Sequence, residues 1–543
     1  MKTIDAIANI LREEGVENLF CFPSSPLIDA AARVGIRPIM TRTERTAIGM
    51  ADGFSRVRNG RQVGVSTVQY GPGVENSFAG VAQAYADASP ILFLPAHLRR
   101  ERVGSTRNFQ AVPSYRAITK WAEQINLPQR VPQMFRRAFS YLRNGRLGPV
   151  LLEVPLDIAS SDTDSDSYKT PQRVRSAGDR AAITAAVQAL LKAKCPLVYV
   201  GQGVFYADAI AELMEFAQLA GAPVMTTLLG KSAFPENHCL SIGTGGYTGT
   251  NAVAHFVSKA DVLLGIGCSF SQEWMAVPIP PGKTVIQVTN DDRDLNADLS
   301  VDIGILGDAK LVLSQLSEEL RREAGPGGRD AAAVVKEISQ IKQAWFEEWM
   351  PLLTSEEVPL NPYRVIWDLM HTVDRTNTII THDSGFVRDQ MIPFYESVAP
   401  RGYLGWGNST QMGQSMGLAL GAKVAAPDKT VIAVTGDASF GMVGMEVETA
   451  ARHQIAILTI MLNNGGMCGA ENYLGAAAER YHLQRLTGEY AKVAAALGAA
   501  SERVESPREI VPAIRRAQEA LKTGRPAFLE FITKQELKVA RFW

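Results

Sequence analysis

The segment VIAVTGDASFGMVGMEVETAARHQIAILTIMLNNGG, residues 431–466, holds the side chains best suited to chemistry. An apolar run ends at Gly436-Asp437-Ala438-Ser439. A helical stretch follows, and a second apolar run ends at Asn463-Asn464-Gly465-Gly466. In a parallel sheet both run ends emerge at one edge. Asp437 then offers a carboxylate, Asn464 an amide oxygen 27 positions on, and the Gly466 region a bare backbone carbonyl. Mg2+ favours hard oxygens of this kind and shares its octahedral positions with phosphate and water. Gly436 and the small Ala438 and Ser439 let backbone N–H groups approach phosphate oxygens, and the helix start adds positive potential. Without further support, the same pattern is also that of a plain βαβ unit with a turn aspartate.

A second feature is Glu44 in RPIMTRTERTAIGMADGFSRV, residues 37–57, placed between a strand end and a helix start. Ala47, Gly49, Ala51 and Gly53 give that helix a small-residue face able to pack closely on another surface. Alone, a glutamate at a helix start is an ordinary first-turn charge.

These residues need sheets to hold them. Short apolar runs alternate with helical segments from residue 16. We expect strands at Asn18–Phe22, Arg37–Met40, Val63–Val68, Pro90–Pro95 and 148–158, and helices at Pro26–Val34, Glu44–Val57 and Val74–Ala86. Such alternation predicts an α/β fold, a doubly wound parallel sheet with helices on both faces. A second α/β block spans about 180–320, with PLVYVG, APVMTTL, DVLLGIG and KTVIQV as strands. A third begins near Pro359, with strands at Thr378–Thr381, Val431–Val434, Ile457–Leu462 and Ala527–Phe531. The expected domains are 1–160, 181–325 and 356–543, joined by linkers 161–180 and 326–355. The first linker is polar and the second a polar helical connector.

GDA followed by NN resembles the cofactor motif of thiamine diphosphate enzymes of the acetolactate-synthase-like family, with Ala438 where that family usually has Gly. The Glu44 segment is similar to the family's activating-glutamate helix. The resemblance implies that Asp437, Asn464 and the Gly466 carbonyl hold Mg2+ against the diphosphate, with Met467 beside them. It implies that Glu44 presses on the cofactor's aminopyrimidine, so that the cofactor's own amino group can take the thiazolium proton. GWGNSTQMGQSMG, residues 405–417, resembles the stretch under the bent cofactor. Met412 would be the apolar support and the Thr410 carbonyl an acceptor for the amino group. Asp383-Ser384-Gly385 resembles a loop at the diphosphate end. Phe109 and Gln110 would lie near the reacting substrate, and Lys120 and Trp121 belong to the same resemblance. A homodimer, with the glutamate of one subunit serving its neighbour's cofactor, or a homotetramer, is implied.

The pattern departs from the family in three further places. Pro23-Ser24-Ser25-Pro26 replaces a glycine-rich loop near the thiazolium. Gly469 and Ala470 stand where larger apolar side chains are typical, with Tyr473 nearby, which suggests a pocket larger than pyruvate needs. In the middle block Cys268-Ser269-Phe270-Ser271-Gln272 replaces the flavin-contacting segment, so FAD is doubtful. His97 and His382 are most simply packing histidines.

The expected activity is cleavage or formation of a C–C bond next to a carbonyl in a 2-oxo acid or related acyl donor. A 2-hydroxyacyl-CoA or oxalyl-CoA lyase would need a basic pocket for the CoA phosphates, and no Arg/Lys cluster marks one. A non-catalytic cofactor-binding subunit would not need Glu44, Asp437 and Asn464 together.

Bulk composition agrees. The 543 residues are 46% hydrophobic and 20% charged, which is globular. The net charge of −1 gives no sign of a nucleic-acid or membrane-surface partner. Five cysteines without CxxC spacing suit a reduced, cytoplasmic setting. The N-terminal stretch reads as an amphipathic helix through Ile4, Ile7, Ile10 and Leu11 rather than a secretory leader.

Overall fold

The computed structural model describes residues 1–105, 107–164 and 168–542. One position of the 105–111 segment and three of the expected linker 161–180 therefore lie outside the described residues. Three parallel sheets are layered with helices, giving three α/β domains.

In the first sheet the strand sequence across the layer is Arg37–Met40, Asn18–Cys21, Gly64–Thr67, Ile91–Phe93, Val150–Pro155 and Ala96–His97, with Trp121–Gln124 added on Val150–Pro155. The third runs Tyr403–Leu404, Thr378–His382, Thr430–Gly436, Leu458–Asn463, Ala527–Ile532 and Ala500–Val504. Numbered in order within each block, both sheets begin 2-1-3-4, so the first and third blocks share topology as well as rhythm. The middle sheet runs 3-2-1-4-5-6 from Ser241–Thr244 to Ile303–Leu306, the other common doubly wound order.

Several element ends shift from expectation for local reasons. Pro90 and Pro95 have no N–H to give a ladder, so only Ile91–Phe93 is strand. Residues 148–158 divide into the buried strand Val150–Pro155 and a helical turn, Leu156–Ser160. The fourth helix starts at Pro72, since proline suits a first helical turn. The third sheet's edge strands, Tyr403–Leu404 and Ala500–Val504, have no counterpart among the expected strands. One is two residues long and the other half-exposed, so neither carries an apolar run. The connector after 325 is the helix Ala332–Leu353, and it is docked rather than free. Its Trp345 and Trp349 are buried, and Trp345 stacks on Phe394 with centroids 4.7 Å apart.

The first and third domains share one hydrophobic core, which includes Phe20, Met50, Phe54 and Tyr115 on one side and Met416, Leu420 and Phe440 on the other. The seam is the helix Glu44–Val57 lying on Gln414–Ala425. Here the small-residue face does its work. A Cβ on Gly49 would lie 3.1 Å from the Gly417 Cα, and one on Gly421 would lie 2.7 Å from the Met50 carbonyl carbon. Only backbone fits between these helices. The seam also buries Arg56, whose Nε donates to Asp52 at 2.7 Å, with Nη2 on Asp87 at 3.0 Å and Nη1 on the Gly405 carbonyl at 2.9 Å.

Candidate functional site

A cavity of about 350 Å3 opens at the carboxyl ends of the third sheet. It lies by the two strands between which the strand order reverses, Thr378–His382 and Thr430–Gly436, the place where open α/β sheets take ligands. Gly436, Asp437, Ala438 and Ser439 come from the end of one strand, and Asn464, Gly466 and Met467 from the next. Gly385, Met412 and Tyr473 complete the expected wall residues.

The donors suit a hard cation. Asp437 is 3% exposed. Its Oδ1 accepts the Ala438 N–H at 2.9 Å, while its Oδ2 is buried with no partner. Burial pushes the Asp437 carboxyl up, against the pull of nearby backbone N–H groups. An orphaned buried carboxylate oxygen is costly unless something binds it. Asn464 Oδ1 accepts the Gly466 N–H at 3.2 Å, which fixes the turn and leaves a second lone pair. Asn463 serves differently: its Nδ2 donates to buried Glu530 at 2.7 Å and locks the strand end. Residues 437–443 form a helix whose first turn, Asp437–Ser439, is part of the cavity wall.

Asp383, which the resemblance places at the diphosphate end, is not itself on the wall, although Ser384 and Gly385 of the same loop are, and its carboxylate is engaged within the protein. Oδ1 accepts the N–H groups of Ser384 at 2.8 Å and Gly413 at 2.9 Å; Oδ2 accepts Ser415 Oγ at 2.7 Å. A carboxylate buried beside a strand end must collect donors, here its neighbour Ser384 and the turn that follows Met412. Asp383 thus shapes the loop. The Thr410 carbonyl accepts the Ser384 hydroxyl at 3.0 Å.

Gly469 and Ala470 do not line the cavity, and the room above Gly469 is filled. A Cβ there would sit 3.3 Å from the Phe386 ring and 3.5 Å from Leu537. Phe386 supplies from another helix the bulk that the loop lacks.

The remaining predicted residues belong to the first domain, and none of them is on this wall. Glu44 is 5% exposed at the first position of its helix, with Asn76 Nδ2 donating to it at 3.3 Å. Glu446 secures the approach to it. This fully buried acid accepts the N–H groups of Arg42 and Thr43, both at 3.0 Å, and the Thr43 hydroxyl at 3.1 Å. Arg45 donates to the Met412 carbonyl, tying the same turn to the cavity wall. Ser25 caps the second helix through Leu27 N–H at 3.3 Å and accepts Thr67 Oγ1 at 2.9 Å, while Ser24 is exposed. Phe109 packs edge-on to Tyr115 at 6.5 Å, and Gln110 donates to the Asn108 carbonyl at 3.3 Å. Lys120 is tied to the Tyr141 and Asn144 carbonyls. His382 is held neutral by burial, down to about 3, and stacks on Trp406; His97 lies 3.9 Å from buried Glu153.

Wall residues that sequence reasoning missed include Arg388, Trp274, Tyr247 and Lys534. Two of these come from loops of the middle domain, and no local pattern announces a residue that reaches another domain's cavity.

Three family profiles match along the chain. They are the thiamine pyrophosphate enzyme N-terminal TPP binding domain at residues 1–119, the central domain at 183–316 and the C-terminal TPP binding domain at 383–531. A probable acetolactate synthase large subunit of Methanocaldococcus jannaschii is 32% identical over 98% of this chain and 92% of its own length. The chain belongs to the acetolactate-synthase-like thiamine pyrophosphate enzymes. Acetolactate synthase isozyme 3 large subunit of Escherichia coli is 27% identical, covering 97% of this chain and 94% of its own. A sulfoacetaldehyde acetyltransferase of Alcaligenes xylosoxydans is 29% identical, covering 99% and 94%. Among the described residues no helix is long and apolar enough to cross a membrane.

Proposed function

We propose that this thiamine diphosphate enzyme is a Mg2+-dependent lyase and carboligase acting on a 2-oxo acid. It would release CO2 from the donor and hand the remaining acyl unit to a proton or a second carbonyl. The observation that carries this is the partnerless Asp437 Oδ2, buried in a cavity that also presents Asn464 and the Gly466 region. Asp437, Asn464 and the Gly466 carbonyl would hold the metal, with the helix starting at Asp437 facing the diphosphate. When bound, thiamine diphosphate supplies a nucleophilic carbon and an electron sink. The chain's own part is to place it: Met412 supports it from the wall, and Glu44 fixes the proton balance at the pyrimidine.

All described wall residues come from the middle and third domains, and Glu44 is not among them. A homodimer in which a second copy brings its Glu44 to the opening would complete the site, with a homotetramer as a further assembly. Apolar side chains left exposed near the cavity elements, among them Met442, Met445, Tyr481 and Leu483, suit such a contact. The names of the relatives support transfer to an acceptor as the outcome. The sulfoacetaldehyde acetyltransferase adds a second donor class, a sulfonated aldehyde.

The test is incubation of the purified protein with thiamine diphosphate, Mg2+ and a panel of 2-oxo acids, following CO2 and carbonyl products. The expected result is CO2 release that vanishes on metal chelation. Cofactor binding without CO2 from any member of the panel would overturn the 2-oxo acid reading.

A further inference from the structure

We propose that Arg388, with Trp274 against it, is the subsite that seats the oxyanion end of the substrate, a carboxylate or a sulfonate. The inference rests on the reading above that the cavity holds the cofactor and its donor. Arg388 lies in the helix Phe386–Phe394, which starts straight after Gly385. Its neighbours pin that helix to both cofactor loops. Val387 Cγ2 lies 3.6 Å from where a Gly436 Cβ would be, and Phe386 covers Gly469. The Arg388 side chain is only 3% exposed yet forms part of the cavity wall.

Its hydrogen bonding is incomplete. Nε donates to Asp389 Oδ1 at 2.9 Å, while Nη1 is buried with no partner. Lys534, also on the wall, differs: its Nζ lies 2.7 Å from Glu357 and 3.2 Å from Glu536. A guanidinium presents N–H groups in a planar fork that matches a carboxylate or sulfonate, and a buried N–H left unpaired is unfavourable until a ligand takes it. The anion would also face Asp389, whose carboxyl burial pushes upward, with Arg388 opposing.

The middle domain closes the corner. The Trp274 ring centroid lies 5.8 Å from the Arg388 guanidinium and 5.7 Å, edge-on, from Tyr247. Trp274 follows Cys268-Ser269-Phe270-Ser271-Gln272, where this chain departs from the flavin-contacting pattern. That altered loop therefore delivers an aromatic ring to the catalytic cavity.

The test uses full-length Arg388→Gln and Arg388→Lys. Thiamine diphosphate and Mg2+ affinity by calorimetry should stay near the parent's. KM for a 2-oxo acid should rise roughly tenfold or more in Arg388→Gln, the loss of one hydrogen bond to a charged group, with partial recovery in Arg388→Lys. KM for an uncharged aldehyde acceptor should not move. A binding arm avoids turnover: Glu44→Gln protein, with and without cofactor, is titrated with pyruvate and with 2-oxopropanesulfonate, following tryptophan fluorescence against a Trp274→Phe control. Whichever anion binds more tightly identifies the charged group, and its binding should weaken when Arg388→Gln is added. Unchanged anion binding in that variant, or equal loss for charged and uncharged compounds, would overturn the proposal. If the parent binds no cofactor, the functional reading falls instead, and the anion titration of the cofactor-free protein alone decides this one.

Discussion

Replacing Gly421 with alanine tests the seam that joins the two cofactor domains. In an ordinary helix this change is stabilising by about 1 kcal/mol, because alanine is the better helix former. Here the added Cβ would run into the Met50 carbonyl oxygen, and would lie 2.7 Å from the carbonyl carbon and 2.8 Å from the Cα. Ordinary carbon contacts are about 3.5–4 Å, so the helices must part by more than about 1 Å. Overpacking a core costs about 1–3 kcal/mol, and with backbone on both sides the upper figure applies. The net expectation is destabilisation by about 2 kcal/mol, the difference between these terms. Gly441→Ala is the control. Its site is helical and exposed, with nothing within 4 Å of the new Cβ, so stability should hold or rise. Urea denaturation of both variants, followed by tryptophan fluorescence, gives the comparison. Since one helix begins with Glu44 and the other follows Met412, Gly421→Ala should also lose turnover. A midpoint at or above the parent's for Gly421→Ala, or the same shift in both variants, would refute the backbone-contact argument.

Glu44→Gln should retain cofactor binding but lose turnover by about two orders of magnitude, the usual contribution of a placed proton-transfer group; full activity by CO2 release would remove its role. Asp437→Asn should abolish Mg2+-dependent cofactor binding by calorimetry. It should leave the cofactor-free protein at least as stable, because a neutral amide replaces a buried charge that lacks a partner. Lower stability of that variant in urea would contradict the orphaned-oxygen reading. Phe386→Ala should open the space above Gly469 and raise kcat/KM for branched 2-oxo acids relative to pyruvate; an unchanged ratio would show that Phe386 does not limit donor size.

Local chemistry wrote much of this protein in its sequence. Strand ends at Gly436 and Asn463, the helix Glu44–Val57 and the alternating βα rhythm all depend on periodicity, capping and small residues at fixed spacing, which neighbours along the chain determine. That is why the motif carrying Asp437 and Asn464 is legible in the order of residues alone. What only the tertiary structure decided are relations between distant segments. Asp383 is consumed by a loop some 30 residues away, Phe386 fills the gap left by Gly469, and Trp274 crosses from another domain to Arg388. Buried polar atoms and empty volume are satisfied by whatever packs nearest in space, and one-dimensional spacing does not say what that will be.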